Sequence, residues 1–263
     1  MDSPIIDIQN FSFSIGDTKI LDSVSLHIFD DEYLSIIGPN GAGKTTLLKC
    51  LMRIYTGGQG TIVLNGRSIE RYSRKELARL ISYVPQSIGN NLPFTVEEFV
   101  MMGRYPHLSP FTTFGEQDRN AVRDALSLTG MEGLENRHLS TLSGGERQTI
   151  YIAAALAQGA RIMLLDEPTA FLDPKHGDDI HRILRKIKEE AGVTIISVTH
   201  NINSAALESD RVAVLKNGKV VFSGNAPEIM TNEVLEPVYG KTFTFVDHPV
   251  TGSRVIIPES SEQ

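Results

Sequence analysis

Gly38, Pro39, Asn40, Gly41, Ala42, Gly43, Lys44 and Thr45 constrain this chain more than any other stretch. They fit G-x-x-x-x-G-K-[ST], follow the apolar run Tyr33-Leu-Ser-Ile-Ile37, and lead into Thr46-Leu-Leu-Lys-Cys-Leu-Met52. A buried strand, a glycine-rich turn and a helix in that order make a phosphate cradle. Glycines let the backbone come close, successive N–H groups aim at an anion, and the helix start adds partial positive charge. Lys44 would bridge the β- and γ-phosphates, Thr45 would turn its hydroxyl to Mg²⁺, and Thr46 would touch the α-phosphate. The alternative is a plain glycine-rich turn capping a helix. All eight motif positions in a strand-loop-helix context outweigh it.

At 263 residues and 41% apolar content, the chain can build one large domain or two small ones. Apolar stretches such as Tyr151-Ile-Ala-Ala-Ala-Leu-Ala157 fall far short of the roughly 18 residues of a membrane span. Met1-Asp-Ser-Pro lacks the basic flank and apolar core of a secretion signal, and Cys50 is the single cysteine, so a cytosolic location is expected. Cys50 stands among Leu47, Leu48 and Leu51 and reads as a small buried hydrophobe. A net charge of −7 argues against a nucleic-acid surface. It does not argue against a bound polyanion, because screening over about 8 Å leaves distant carboxylates little influence over groups in direct contact. The seven histidines form no metal-binding pattern; His176 and His181 are spaced to fall on different faces of a helix.

Phe11, Phe13 and Ile15 alternate with serines, Gly16-Asp17 offers a turn, and Val24, Leu26 and Ile28 alternate again, which predicts antiparallel strands ahead of the phosphate-loop strand. Thr61-Ile-Val-Leu64 closes at Asn65-Gly66, Ser73-Arg-Lys-Glu76 reads as a capping box, and Ile81-Ser-Tyr-Val84 is the next strand, followed by Gln86. Strand signals then vanish until about Gly159. Thr95-Val-Glu-Glu98 caps a helix reaching Met102, a Pro-rich loop covers 106–110, and 116–128 is helical and closed by Gly130. Arg161-Ile-Met-Leu-Leu165 and Val193-Thr-Ile-Ile-Ser-Val-Thr199 read as strands buried on both faces. The helix between them opens at Asp173-Pro174 and stops at Gly192. Asn217-Gly218 centres a hairpin within 211–222, and 246–258 suggests another.

Asp166 and Glu167 stand at the carboxyl end of the first buried run, where an open α/β sheet meets its ligand crevice. Two adjacent carboxylates can divide labour. Asp166 would hold Mg²⁺ through water, and Glu167 would act as general base toward water attacking the γ-phosphorus, a role worth about 10²- to 10⁴-fold in rate. His200 ends the second buried run and could hydrogen-bond a γ-phosphate; a lone strand-end histidine is more often structural. Ser143, Gly144 and Gly145 lie in Leu142-Ser-Gly-Gly-Glu-Arg-Gln148 and open a helix, so they offer a second anion site. An ordinary N-cap accounts for the serine but for neither glycine.

In order, residues 38–46, Gln86, 142–148, Leu165-Asp-Glu-Pro-Thr169, Leu172-Asp173 and His200 resemble the ATP-binding cassette (ABC) family over essentially the whole chain. The resemblance implies an α/β fold: a P-loop NTPase (RecA-like) core with a mainly parallel sheet at 1–86 and 160–263, an N-terminal antiparallel β subdomain, and an inserted α-helical subdomain at about 87–159. It implies ATP and Mg²⁺ as ligands, with Thr45, Gln86 and Asp166 toward the metal. In that family two copies face head to tail, and Ser143, Gly144 and Gly145 of each would close on the γ-phosphate held by the other. Gln86 would sense the γ-phosphate, and Asp173 would signal between the two sites. The segment Gly103-Arg-Tyr-Pro-His107 and the end 247–258 are similar to the subgroup that powers import of iron-siderophores, haem or cobalamin. That implies integral membrane permease subunits and, indirectly, an extracytoplasmic substrate-binding protein, with this chain peripheral on the cytoplasmic face of the membrane. Phe99, Tyr105, Pro106 and His107 would form the permease-facing surface; packing inside the insert is the rival reading for Phe99 and Tyr105.

The family's adenine-stacking aromatic should fall near Ile15; Phe13 is the nearest aromatic. Many members carry an arginine where this chain has Ala154. A non-transport cassette, such as an iron-sulfur assembly component, is the alternative function. A chromosome-maintenance ATPase is disfavoured, since fewer than a hundred residues separate Thr45 from Ser143 and leave no room for a long coiled coil. The cargo is not written in this chain, because other subunits select it.

Overall fold

The computed structural model describes residues 3–86, 92–249 and 252–257, and the chain falls into two compact units, 1–71 with 196–263 and 72–195. In the first unit, β1 (Ile6–Ile15) pairs antiparallel with β2 (Thr18–Ile28), turning at Gly16-Asp17. Alternation buries Ile6 and Ile8, but Asn10 takes φ 48° and the register slips there, so the next inward residues are Phe11 and Phe13. A further slip past Phe13 leaves Ile15 half exposed, which the simple alternation in the sequence does not foresee. Next come β3 (Tyr33–Ile37), buried at every position, and the phosphate loop. Then follow α1 (Lys44–Leu51), β4 (Gln59–Leu64) and β5 (Arg67–Ser68). The antiparallel sheet has the order β2-β1-β4-β5.

The second unit begins with α2 (Arg74–Ala78), opened by the Ser73/Glu76 capping box, and β6 (Ile81–Val84). α3 (Val96–Met102) starts at the Thr95/Glu98 capping box. Residues 105–107, overlapping the loop read at 106–110, form one turn of 3-10 helix started by Pro106 at an early position. α4 (Glu116–Leu128) and α5 (Gly144–Ala157) follow, and their apolar faces close with α3 around Val96, Val100, Val122, Leu126, Ile150 and Ala153. Gly103 is needed there for space. A Cβ at that position would stand 2.3 Å from the Ala154 carbonyl oxygen. β7 (Ile162–Asp166) runs parallel to β6 with Ile81 opposite Ile162. Asp173 caps α6 (Pro174–Ala191), which stops at left-handed Gly192.

β8 (Thr194–Val198) passes from the second unit to the first, where α7 (Ile202–Glu208) follows. β9 (Arg211–Lys216) lies parallel to β3, with Leu34 opposite Arg211 and Ile37 opposite Val214. β10 (Lys219–Asn225) returns antiparallel across Asn217 and Gly218, both at positive φ as the two-residue hairpin turn requires. α8 (Asn232–Tyr239) packs Leu235 and Val238 against Ile37, Val212 and Val214. β11 (Thr244–Asp247) and β12 (Arg254–Ile257) form the final hairpin. Of the segments quoted from the sequence, Met1, Asp2, Val250, Thr251, Pro258 and the start of the insert at 87–91 lie outside the described residues. Among those described, no helix is long and apolar enough to cross a membrane.

Candidate functional site

In the first unit the phosphate loop leaves β3 at Gly38, with φ 147°, and delivers Gly43, with φ 103°, as the left-handed cap before α1. The two glycines answer to different constraints. A Cβ on Gly38 would sit 1.9 Å from the Leu215 carbonyl oxygen, far inside van der Waals contact, so this strand end admits only glycine. A Cβ on Gly43 would lie 2.8 Å from Leu21 Cδ2 and 3.0 Å from the Ile20 carbonyl oxygen. Gly41, with φ 77°, has open space around it and is required by backbone conformation alone. Asn40 and Gly41 are exposed, whereas Ala42 and Lys44 are buried. The Lys44 ammonium folds back on the loop and donates to the carbonyl oxygens of Gly38 at 2.7 Å and Pro39 at 3.0 Å. Thr45 and Thr46 are half-buried at the start of α1. His200 follows β8 at an exposed position.

The second unit arranges the carboxylates. Asp166 ends β7 buried, and the Tyr83 hydroxyl on neighbouring β6 donates to its Oδ2 at 3.3 Å. Burial first, and then the Asp166 charge, push the Tyr83 hydroxyl well above its ordinary pKa, so it stays a donor. Tyr83 was read from the sequence only as a strand residue; its position one strand away from an acidic strand end is the signal that could have singled it out. Glu167 steps out of the strand at φ 51°, a conformation that costs a non-glycine residue about 1 kcal/mol and gathers at functional sites. The Gln86 amide donates to Glu167 Oε2 at 2.9 Å, joining two residues that lie far apart in the sequence.

Ser143 caps α5 with a complete capping box: its Oγ accepts from the Glu146 N–H at 3.2 Å, and Glu146 Oε2 accepts from the Ser143 N–H at 2.8 Å. The Ser143 N–H first, and then its hydroxyl, hold the Glu146 carboxyl below its ordinary range. The two glycines that follow differ. Gly144 has no neighbour within 4 Å of a Cβ, whereas a Cβ on Gly145 would stand 2.2 Å from His176 Cδ2. His176 is held from the other side by Asp173: its N–H donates to Oδ1 at 3.0 Å, and its Nδ1 lies 2.6 Å from Oδ2. These contacts, the backbone one foremost, keep the Asp173 carboxyl below its ordinary pKa. From the sequence, His176 was set aside only as a metal ligand, by its spacing from His181. The fold makes it the spacer between the Ser-Gly-Gly helix and the cap of α6.

The adenine question raised by Ile15 sharpens. Phe13 is buried and stacks on Tyr55, with ring centroids 5.4 Å apart and planes 11° apart, so it belongs to the core; Ile15 presents an aliphatic surface. On the insert, Phe99 also turns inward and tilts against Tyr151 at 5.3 Å, while Tyr105 remains 59% exposed beside Phe114. His107 is pinned through Nε2 to the Gln158 carbonyl at 2.7 Å, and Arg79 donates to the Pro106 carbonyl at 2.9 Å.

Comparison with known proteins gives one consistent picture. The family profile described as ABC transporter matches residues 21–170. The ferric enterobactin transport ATP-binding protein of Escherichia coli is 38% identical over 250 residues, covering 95% of this chain and 92% of that protein. The petrobactin import ATP-binding protein of Bacillus anthracis is 39% identical over 236 residues, covering 90% and 87%. Among solved structures, a metal-chelate type ABC transporter in an inward-facing conformation superposes with a TM-score of 0.85 at 25% identity over 98% of both chains. An ATP-binding cassette solved as a post-hydrolysis dimer with ADP and Pi superposes at 0.70 and 30% identity, covering 84% of this chain and 98% of that one.

Proposed function

The chain belongs to the ABC transporter family, and from that membership we propose that it is the ATP-hydrolysing, nucleotide-binding subunit of an importer for an iron complex, siderophore or haem, or for cobalamin. The observation that carries the reading is identity sustained over nine-tenths or more of this chain with import ATP-binding proteins. These matches support the importer reading over the iron-sulfur assembly alternative.

The residues fit a nucleotide. Gly38, Gly41 and Gly43 all take positive φ, the backbone freedom that a loop turning its N–H groups onto phosphate oxygens requires. Lys44, now on loop carbonyls, would exchange them for β- and γ-phosphate oxygens, and Thr46 would take the α-phosphate. Thr45, Gln86 and Asp166 offer hydroxyl, amide and carboxylate oxygens, the hard donors Mg²⁺ prefers. When bound, Mg²⁺ would neutralise charge on the transferring phosphoryl group. Glu167 would accept the proton of the attacking water, and its contact with Gln86 supports a role for that amide in holding the carboxylate. His200 would donate to the γ-phosphate.

Ser143, Gly144 and Gly145 would meet the nucleotide of a second copy, and Asp173 would report between the sites, in a head-to-tail dimer bridged by ATP. The division into a core of 1–86 with 160–263 and a helical insert at about 87–159 belongs to the same proposal. Through exposed Tyr105 the insert would meet integral membrane permease subunits served by an extracytoplasmic substrate-binding protein, placing this chain on the cytoplasmic face of the membrane.

The test is Glu167→Gln. Nucleotide should still bind, phosphate release should fall about 10²- to 10⁴-fold, and light scattering should show dimers with MgATP and monomers with ADP. Wild-type turnover in the variant removes Glu167 from the mechanism, and a dimer insensitive to nucleotide contradicts the shared site.

A further inference from the structure

Behind the phosphate-loop helix lies a cavity of about 250 Å³ that the ATPase reading does not use. It sits wholly within the first unit, where the chain leaves α1 and enters β4, at the opposite end of that helix from Lys44. Its apolar walls are Phe11, Ile69 and the Cys50 thiol, which burial keeps neutral by raising its pKa to about 12. Tyr55 adds an aromatic wall whose orientation is fixed by its stack on Phe13 and by Lys49 Nζ 5.5 Å from its ring centre. The rim carries one cation and one anion, half-buried Arg53 and exposed Glu70.

Two backbone features shape this space. Arg53 is held at φ 54°, where an arginine costs about 1 kcal/mol more than a glycine would. That conformation closes α1, with the Arg53 N–H on the Cys50 carbonyl and the Ile54 N–H on the Lys49 carbonyl, and sets Arg53 at the cavity rim. Gly57 and Gly60 leave the opposite wall without side chains, and at Gly57, with φ 88°, no atom lies within 4 Å of where a Cβ would stand. The volume lies just below the range of drug-sized ligand sites, which suits a ligand of amino-acid size.

We propose that this cavity binds a small zwitterion with a planar apolar body, its anionic group on Arg53, its cationic group on Glu70, and its ring against Phe11 and the edge of Tyr55. Aromatic amino acids have this chemistry. The charged ends give orientation while the aromatic walls supply burial.

The experiment is calorimetric titration of the full chain, held in saturating MgATP on the Glu167→Gln background, with L-phenylalanine, phenylacetate and phenethylamine. L-phenylalanine should bind at millimolar concentration, and each singly charged analogue at least about tenfold more weakly. Arg53→Gly, whose φ suits glycine and so keeps the fold, should weaken L-phenylalanine and phenylacetate but not phenethylamine. Glu70→Gln should weaken L-phenylalanine and phenethylamine but not phenylacetate. Absence of saturable L-phenylalanine binding to the unmodified site, or binding indifferent to both substitutions, overturns the proposal. Binding seen only without MgATP places the probe in the phosphate loop and overturns it equally. Because nucleotide binding is followed in the same samples, failure of this site is distinguishable from failure of the ATPase reading.

Discussion

Gly144 and Gly145 are neighbours in the Ser-Gly-Gly motif, yet alanine should act oppositely at the two. At Gly145 the new Cβ would begin 2.2 Å from His176 Cδ2 and 2.6 Å from Cγ, whereas ordinary contact begins near 3.4 Å. The imidazole must move by more than an ångström, and Asp173 Oδ2 at 2.6 Å from Nδ1 resists that movement. Forced repacking costs about 1–3 kcal/mol, and losing the His176 contact adds about 1 kcal/mol. Better helix propensity returns at most about 1 kcal/mol. Gly145→Ala should therefore destabilise by about 1–3 kcal/mol. At Gly144 no atom lies within 4 Å, so Gly144→Ala should keep only the propensity gain of about 0.5–1 kcal/mol. Urea unfolding without nucleotide should separate the two variants by about 2 kcal/mol or more, roughly 4–8 °C in Tm for a chain of this size. In a His176→Ala background most of the Gly145→Ala cost should vanish, a coupling of about 1 kcal/mol or more. Equal stabilities for the two alanine variants, or a Gly145→Ala cost indifferent to His176, would refute the packing argument.

Gly38→Ala should lose nucleotide binding with the loop displaced, because its Cβ would sit 1.9 Å from the Leu215 carbonyl oxygen, where nothing can rotate away; fluorescent nucleotide titration reads this, and unaltered affinity would contradict it. Cys50, with its thiol raised from 9.0 to about 12, should react with iodoacetamide about 10³-fold more slowly in the native chain than after unfolding at pH 8, judged by mass spectrometry. Asp118 accepts from the Gly115 N–H and from Arg104 Nε at 3.0 Å, contacts that hold its carboxyl below the ordinary range. A depressed carboxylate stabilises above its unfolded pKa of about 3.9 and loses that contribution as pH falls through the lower folded value. The stability gap between wild type and Asp118→Asn should thus hold steady from neutral pH to about pH 5 and close below about pH 4; a gap that widens in acid would contradict the sign. Arg104→Leu should destabilise the insert by about 2 kcal/mol, since Arg104 also donates to the Ala157 carbonyl at 2.8 Å; hydrogen exchange across α3 to α5 reports it.

Local signals were sufficient wherever one short stretch decides the outcome. The capping boxes at Ser73 and Thr95, the helix start at Ser143, the Asp173 N-cap and the Asn217-Gly218 hairpin stand where the sequence puts them, because each is closed by partners within a few residues. The fully buried strands β3, β7 and β8 were legible as apolar runs too long and branched to face water. The Lys44 loop was legible because its chemistry demands a fixed order of glycines and one cation. Contacts between distant segments decided the rest. Asn10 and the slips beside it turned Ile15 outward and Phe13 inward, which no alternation rule reveals, since a bulge resets the faces. Gln86 met Glu167, Tyr83 met Asp166, and His176 met Gly145 because strands and helices remote in sequence pack side by side. The sequence by itself determines which groups are present and which short turns form. Only packing decides which glycine of a pair is there for space and which for conformation, since a missing Cβ acquires meaning from the atom that would have struck it.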